Sequence, residues 1–166
     1  MKHTLVLMRH GKSAYPHGVP DHDRPLAPRG LRQAKLSGEW VNKHVGPFDL
    51  ILCSTATRTR QTLEQAGLVG PVQSLQDLYD EDHQVYLDII AAHGGDAKKI
   101  ALVGHQPAIA ATALALAENR DSKPAQRLEE KFPTAAVAVL EGRRPFSGVE
   151  TGHMTLTHFH VPERDH

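Results

Sequence analysis

Residues 5–13 read Leu-Val-Leu-Met-Arg-His-Gly-Lys-Ser, and their reading decides the fold. An unbroken apolar run that ends abruptly in a cation, an imidazole and a glycine is the pattern of a buried parallel strand opening onto a site. Core packing accounts for Leu5 to Met8 but not for the three residues that follow. Arg9 carries a permanent charge and a fork of donors that suits phosphate oxygens. His10 is a nucleophile or base near neutral pH. Gly11 permits a close backbone approach, here expected to be to a ligand.

The same pattern returns twice. Leu50-Ile-Leu-Cys53 runs into Ser-Thr-Ala-Thr-Arg-Thr-Arg-Gln-Thr at 54–62, and residues 102–107 read Leu-Val-Gly-His-Gln-Pro. Strands are expected at 4–8, 48–53, 72–75, 100–103, 135–140 and 154–161. Helices are expected at 30–45, 57–68 and 82–93, with an alanine-rich one starting from Pro107. The stretch 118–131 is charged and reads as a solvated loop or helix end, and 142–152 as a turn. Strands alternating with helices argue for a largely parallel sheet covered on both faces. The fold expected is α/β: a single-domain three-layer α/β/α sandwich over residues 1–166 with a mostly parallel central sheet. Ligands of such sheets bind beyond the carboxyl ends of the strands, where Arg9-His10, 54–58 and Gly104-His105 all fall. Groups distant in sequence are therefore expected to converge on one site.

Composition narrows the function classes. Nineteen basic residues balance nineteen acidic ones, so nothing points to nucleic acid or an anionic membrane as the main partner. The apolar stretch 108–117 falls short of the roughly 20 residues that span a bilayer. Met1-Lys2-His3 passes at once into a strand, so no signal peptide is expected. One cysteine, Cys53, excludes an intramolecular disulfide and suits a reducing cytoplasm, the expected location. At the end of a strand Cys53 reads as a small core residue rather than a reactive thiol.

With Asp-His-Asp-Arg-Pro-Leu-Ala-Pro-Arg-Gly at 21–30 leading into a helix, these ordered motifs resemble the histidine phosphatase superfamily, the phosphoglycerate mutase-like proteins. The likeness spans about residues 4–140 and is greatest to the small SixA-type branch. It implies that His10 accepts a phosphoryl group, that His105 is the second site histidine, and that Arg58 rather than Arg60 is the pocket arginine. The chemistry suits those residues. A covalent intermediate divides a hard phosphoryl transfer into two easier displacements, and neutral imidazole is both a good nucleophile and a good leaving group. Positive neighbours disfavour imidazolium, so Arg9 and Arg58 are expected to keep His10 neutral. Charge on the non-bridging oxygens calls for positioning and electrostatic stabilisation, which assigns the clamp to Arg9, Arg58 and His105, with no metal and no cofactor.

Other residues carry two readings each. Ser54 either offers its hydroxyl to phosphate or caps the helix that follows. Arg24 and Arg29 either approach the substrate or form surface ion pairs with Asp21 and Asp23. Lys12-Ser13 ends like a P-loop, but Val6 stands where that motif needs glycine, so this reading fails. The resemblance implies that Thr134 and nearby backbone brace the site, although Thr134 also reads as an ordinary polar residue before a strand. His158 and His160 share a strand face and read as a solvated edge rather than a metal site.

The resemblance also implies what is missing. Mutases and phosphomonoesterases of this superfamily carry an acidic proton donor and larger cap insertions. Between Arg60 and His105 there is room only for a short strand and one helix, so no large cap insertion is expected. Asp80 and Glu81 are the candidate acids there, but they also suit the start of a helix that Asp82 caps. An alkoxide leaves poorly without a proton, whereas a phosphoramidate nitrogen leaves more easily. A phosphorylated protein such as a histidine phosphotransfer domain is therefore the leading substrate. A small phosphomonoester, and a non-catalytic phosphate-binding module, are the alternatives. The intact set of Arg9, His10, Arg58 and His105 argues against the last, because binding alone needs no nucleophile.

Overall fold

The computed structural model describes residues 2–162. Its six strands are β1 (His3–Arg9), β2 (Leu50–Ser54), β3 (Val72–Leu75), β4 (Lys99–Gly104), β5 (Val137–Gly142) and β6 (Thr155–His160). They form one sheet in the order β3-β2-β4-β1-β5-β6. The pairs β3–β2, β2–β4 and β4–β1 are parallel, while β5 and β6 extend the sheet antiparallel.

The alternation inside β1 and β4 explains the layers. Leu5, Leu7, Ile100 and Leu102 point to one face of the sheet, Val6, Met8, Ala101 and Val103 to the other, and all eight are fully buried. The first face is covered by α3 (His83–Gly94), α4 (Ala108–Leu116) and α5 (Lys123–Glu130), through Tyr86, Ile90, Ile109, Leu116 and Leu128. The second is covered by α1 (Pro28–His44) and α2 (Thr57–Ala66), through Val41 and Ala66. The result is the expected α/β/α sandwich with a mostly parallel core. Only β3 and α3, with a short 3₁₀ turn, lie between α2 and β4, so no large cap stands over the strand ends. No helix of the described residues is long and apolar enough to cross a membrane.

Three expectations need correction. The segment 118–131 is not merely a solvated loop: Ser122 accepts a hydrogen bond from the Ala125 amide and caps α5, which buries Ala125 and Leu128. The turn expected at 142–152 holds a 3₁₀ turn whose Phe146 is buried edge-on against the His3 ring. β5 begins at Val137 rather than 135, because Ala135 adopts a left-handed φ of 61° and the Ala136 amide turns back to the Pro133 carbonyl.

Candidate active site

The carboxyl ends of β1, β2 and β4 bring His10, Ser54 and His105 together. The His10 amide donates to the Gly104 carbonyl, which fixes the two strand ends side by side. The imidazoles of His10 and His105 lie 5.4 Å apart, centroid to centroid. His10 Nδ1 is 2.7 Å from the Gly11 carbonyl oxygen. A carbonyl only accepts, so the proton sits on Nδ1 and the lone pair is left on Nε2. Burial pushes the His10 pKa down to about 4, against a smaller opposing effect of the Gly11 hydrogen bond, and Arg9, Arg58 and Arg24 add to the depression. The arginines thus act as expected, but desolvation is the larger cause.

Gly11 has a packing reason beside the expected approach to a ligand. A Cβ on it would meet the Gly30 carbonyl oxygen at 2.5 Å, and one on Gly30 would meet the Lys12 carbonyl oxygen at 2.0 Å. The pair lets α1 pack against the chain just beyond β1. The Gly11 amide donates to Thr62 Oγ1, whose own hydroxyl donates to the Arg58 carbonyl, tying the loop to α2.

His105 is held from below by Tyr86. The phenol oxygen accepts from the His105 amide at 3.1 Å and donates to the Leu78 carbonyl at 2.8 Å. Gly104 is required there, since a Cβ would lie 2.6 Å from the Tyr86 hydroxyl. Burial, then the neighbouring His10 and Arg58, lower the His105 pKa to about 3. Its Nε2 shares a 2.8 Å hydrogen bond with Ser54 Oγ. Ser54 accepts from the Ala56 amide but is not the cap of α2: that position is Ala56, with no side-chain cap. Ser54 is fully buried, and its hydroxyl serves His105.

Arg58 and Arg60, which the resemblance distinguishes, differ in burial on α2. Arg58 is buried among Thr59, Thr62 and Ala66, whereas Arg60 faces solvent. The Arg58 terminal nitrogens bind Asp21, at 2.8 Å to its carbonyl and 3.2 Å to its carboxylate. Arg9 gives one terminal nitrogen to the Phe132 carbonyl at 2.9 Å. The Nε atoms of both arginines are buried without a partner among the described residues. Two orphaned guanidinium donors are costly unless something anionic engages them.

Arg24 forms the ion pair of its second reading. It pairs with Asp21 at 3.1 Å, donates to Ser13 Oγ, covers the Tyr15 ring, and adds to the positive field on His10. Arg29 forms no pair with Asp21 or Asp23 among the described residues and lies in a separate recess. Thr134 donates to Gln33 Oε1, and it is the neighbouring Ala135 amide that braces the His10 carbonyl. Tyr79, which sequence reasoning missed, donates to Asp21 Oδ2 and sets its ring edge-on to His105. Asp80 and Glu81 are exposed, yet they line the same cleft of about 240 Å³ as Arg58, Tyr79 and His105. Asp82 caps α3 through the Val85 amide, as expected.

Away from the cleft, His160 and His44 both stack on Trp40, and His158 meets it edge-on. Among the described residues no group of three or more His, Cys, Asp or Glu side chains could hold a metal ion. Cys53 is a core residue: burial pushes its thiol up to about 12.

Comparison with known proteins gives this geometry a lineage. The family model of the histidine phosphatase superfamily (branch 1) matches residues 5–78. A Mycobacterium tuberculosis protein is 44% identical over 157 residues, 93% of this chain and 99% of its own length. A structure from Nakamurella multipartitia, provisionally named phosphohistidine phosphatase SixA, is 35% identical with a TM-score of 0.89, covering 98% of this chain and 97% of that one. One of the same provisional name from Agrobacterium tumefaciens is 29% identical with a TM-score of 0.79, covering 96% and 98%. The chain belongs to the histidine phosphatase superfamily, in its SixA-type branch, and is a phosphatase.

Proposed function

We propose that this member of the histidine phosphatase superfamily removes the phosphoryl group from phosphohistidine on a protein, through a phosphorylated His10. The observation that carries the reading is the neutral His10, with its proton committed to the Gly11 carbonyl and its Nε2 lone pair free. In the first step Nε2 attacks phosphorus while the bond from phosphorus to the substrate nitrogen breaks. The electron pair stays on the departing ring, which leaves as neutral imidazole because its other nitrogen already carries a proton taken from solvent. The Arg9 and Arg58 guanidiniums and His105 hold the oxygens. In the second step water attacks the phosphoryl group on His10, the P–Nε2 bond breaks, and the pair returns to Nε2 as a proton passes to solvent.

The choice of phosphohistidine rests on the leaving group and on access. The departing imidazole needs less protonation than an alkoxide, and an uncapped cleft admits a bulky carrier. The free, buried Cys53 suits a reducing compartment, and the cytoplasm is the location proposed. One observation favours a second reading, a small-molecule phosphomonoesterase: Asp80 and Glu81 stand in the cleft wall with His105.

The test offers the purified protein a phosphohistidine phosphotransfer domain beside a panel of sugar and nucleotide monophosphates, with Glu81→Gln and Asp80→Asn in parallel. The proposal expects turnover of phosphohistidine, poor turnover of alkyl esters, and acid variants within a few-fold of the parent. If one acid variant instead loses about a hundredfold and the parent prefers sugar phosphates, the second reading holds.

A further inference from the structure

A second recess, of about 340 Å³, opens beside the His10 centre on the β5–β6 side, walled by Arg9, Lys12, Arg29, Gln33, Lys131 and Thr134. Four of its residues are cations, and among the described residues no carboxylate lines it. In a chain whose basic and acidic residues balance at nineteen each, that is a local accumulation of positive potential. Lys12, Arg29 and Lys131 are exposed and form no ion pair among the described residues. Gln33 Oε1 accepts from both the Lys12 amide and the Thr134 hydroxyl, which fixes the floor and leaves the Gln33 amide NH₂ as a donor. Arg9 joins the recess to the reacting centre: it immediately precedes His10, and its buried Nε has no partner among the described residues.

We propose that this recess docks an acidic stretch of the phosphorylated protein, seating Asp or Glu carboxylates while the phosphohistidine meets His10. The proposal rests on the phosphohistidine reading and adds to it the chemistry of the partner. Exposed cations of this kind contribute little apiece to a static ion pair. Grouped in one concave surface with no counter-charge among the described residues, they raise the local concentration of an anionic partner and its association rate. The walls are mostly long, solvated side chains, which suits a macromolecular surface better than the enclosure of a small ligand. The cleft beside His105 presents the opposite character, with Asp21, Asp80, Glu81 and Asp82 along its wall. A substrate carrying acidic residues on one side of its phosphohistidine would therefore be oriented, with those residues towards Lys12, Arg29 and Lys131.

The test is the triple charge reversal Lys12→Glu/Arg29→Glu/Lys131→Glu, which leaves Arg9 intact. It is assayed on a phosphohistidine phosphotransfer domain with an acidic surface beside its histidine, and on free phosphohistidine. The proposal expects KM for the protein to rise about tenfold or more and its salt dependence to flatten. Turnover of free phosphohistidine should stay within about twofold, which also certifies the variant's fold. Equal losses on both substrates, or an unchanged KM for the protein, would overturn it. A fluorescein-labelled oligoglutamate peptide gives a readout free of chemistry: its salt-sensitive binding to the parent should vanish in the variant. If the parent hydrolyses no phosphohistidine yet the variant loses that binding, the functional reading fails and the acidic docking site stands. Undiminished binding to the variant overturns the docking site alone.

Discussion

Asp21 holds Arg58 by both of its terminal nitrogens, one on the Asp21 carbonyl at 2.8 Å and one on its carboxylate at 3.2 Å. This grip leaves the buried Nε of Arg58 as the donor without a partner among the described residues. The same carboxylate takes the Tyr79 hydroxyl and Arg24, so one exposed acid ties three chain segments around the site. The Tyr79 hydrogen bond, more than Arg58, holds its pKa down to about 2. Asp21 is therefore charged at neutral pH, which suits it to hold Arg58 rather than to give a proton.

Asp21→Asn keeps the backbone carbonyl and the side-chain shape but removes the charge that orients Arg58. Turnover should fall about tenfold, mainly in kcat, because the guanidinium must be in place when charge develops on the transferring group. Steady-state kinetics check this, and an effect confined to KM would assign Asp21 to substrate binding instead.

Arg58→Ala should cost about 10²–10³ in turnover, the usual loss for one preorganised donor, and Arg60→Ala should be mild. α2 buries the first and exposes the second. Side-by-side kcat values decide it, and comparable losses would contradict the geometry.

Burial keeps both site histidines neutral well below the ordinary value of 6.5, His10 to about 4 and His105 to about 3. The kcat/KM profile should therefore hold its neutral-pH level down to about pH 5 and fall below that as His10 Nε2 is protonated. Stability carries the same signature. Between the folded values and 6.5 the unfolded chain binds more protons, so stability falls as pH drops through that window, on the order of 3 kcal/mol for His10 and about 5 kcal/mol for His105 over its full extent. Denaturant midpoints measured from pH 7 to pH 4 test the sign.

Tyr86→Phe removes the oxygen that serves both the His105 amide and the Leu78 carbonyl. Leaving two buried backbone groups unsatisfied should cost about 1–3 kcal/mol for each. Thermal unfolding should show the loss, and kcat should fall with it because the His105 loop is no longer seated. An unchanged Tm would mean that water replaces the phenol.

The strand ends were legible because a strand buried on both faces gives a plain apolar run, and no core needs Arg9-His10 or Gly104-His105 after it. The choice of Arg58 over Arg60 comes from the family resemblance, which places the pocket arginine four residues after Ser54. Asp21 was harder: three residues before Arg24 it reads as a local ion pair, and its grip on Arg58 comes from 37 positions away. The packing role of Gly11 was hidden for a related reason, since the sequence shows that its backbone must approach something but not that Gly30 is there. α5 escaped notice because its eight residues, half of them charged, bury only Ala125 and Leu128, too few for a visible period. Ser54 has its role from a histidine on another strand, which local capping rules do not reach.

The account stands on His10 as the group that carries phosphate between the two half-reactions. Its most direct test is a brief incubation with phosphohistidine protein labelled in its phosphoryl group, quenched without acid, followed by mapping of the label. The account predicts an acid-labile phosphoprotein with the phosphoryl group on His10, and neither label nor turnover in His10→Ala although circular dichroism shows the fold intact. A label that persists unchanged in His10→Ala would contradict it.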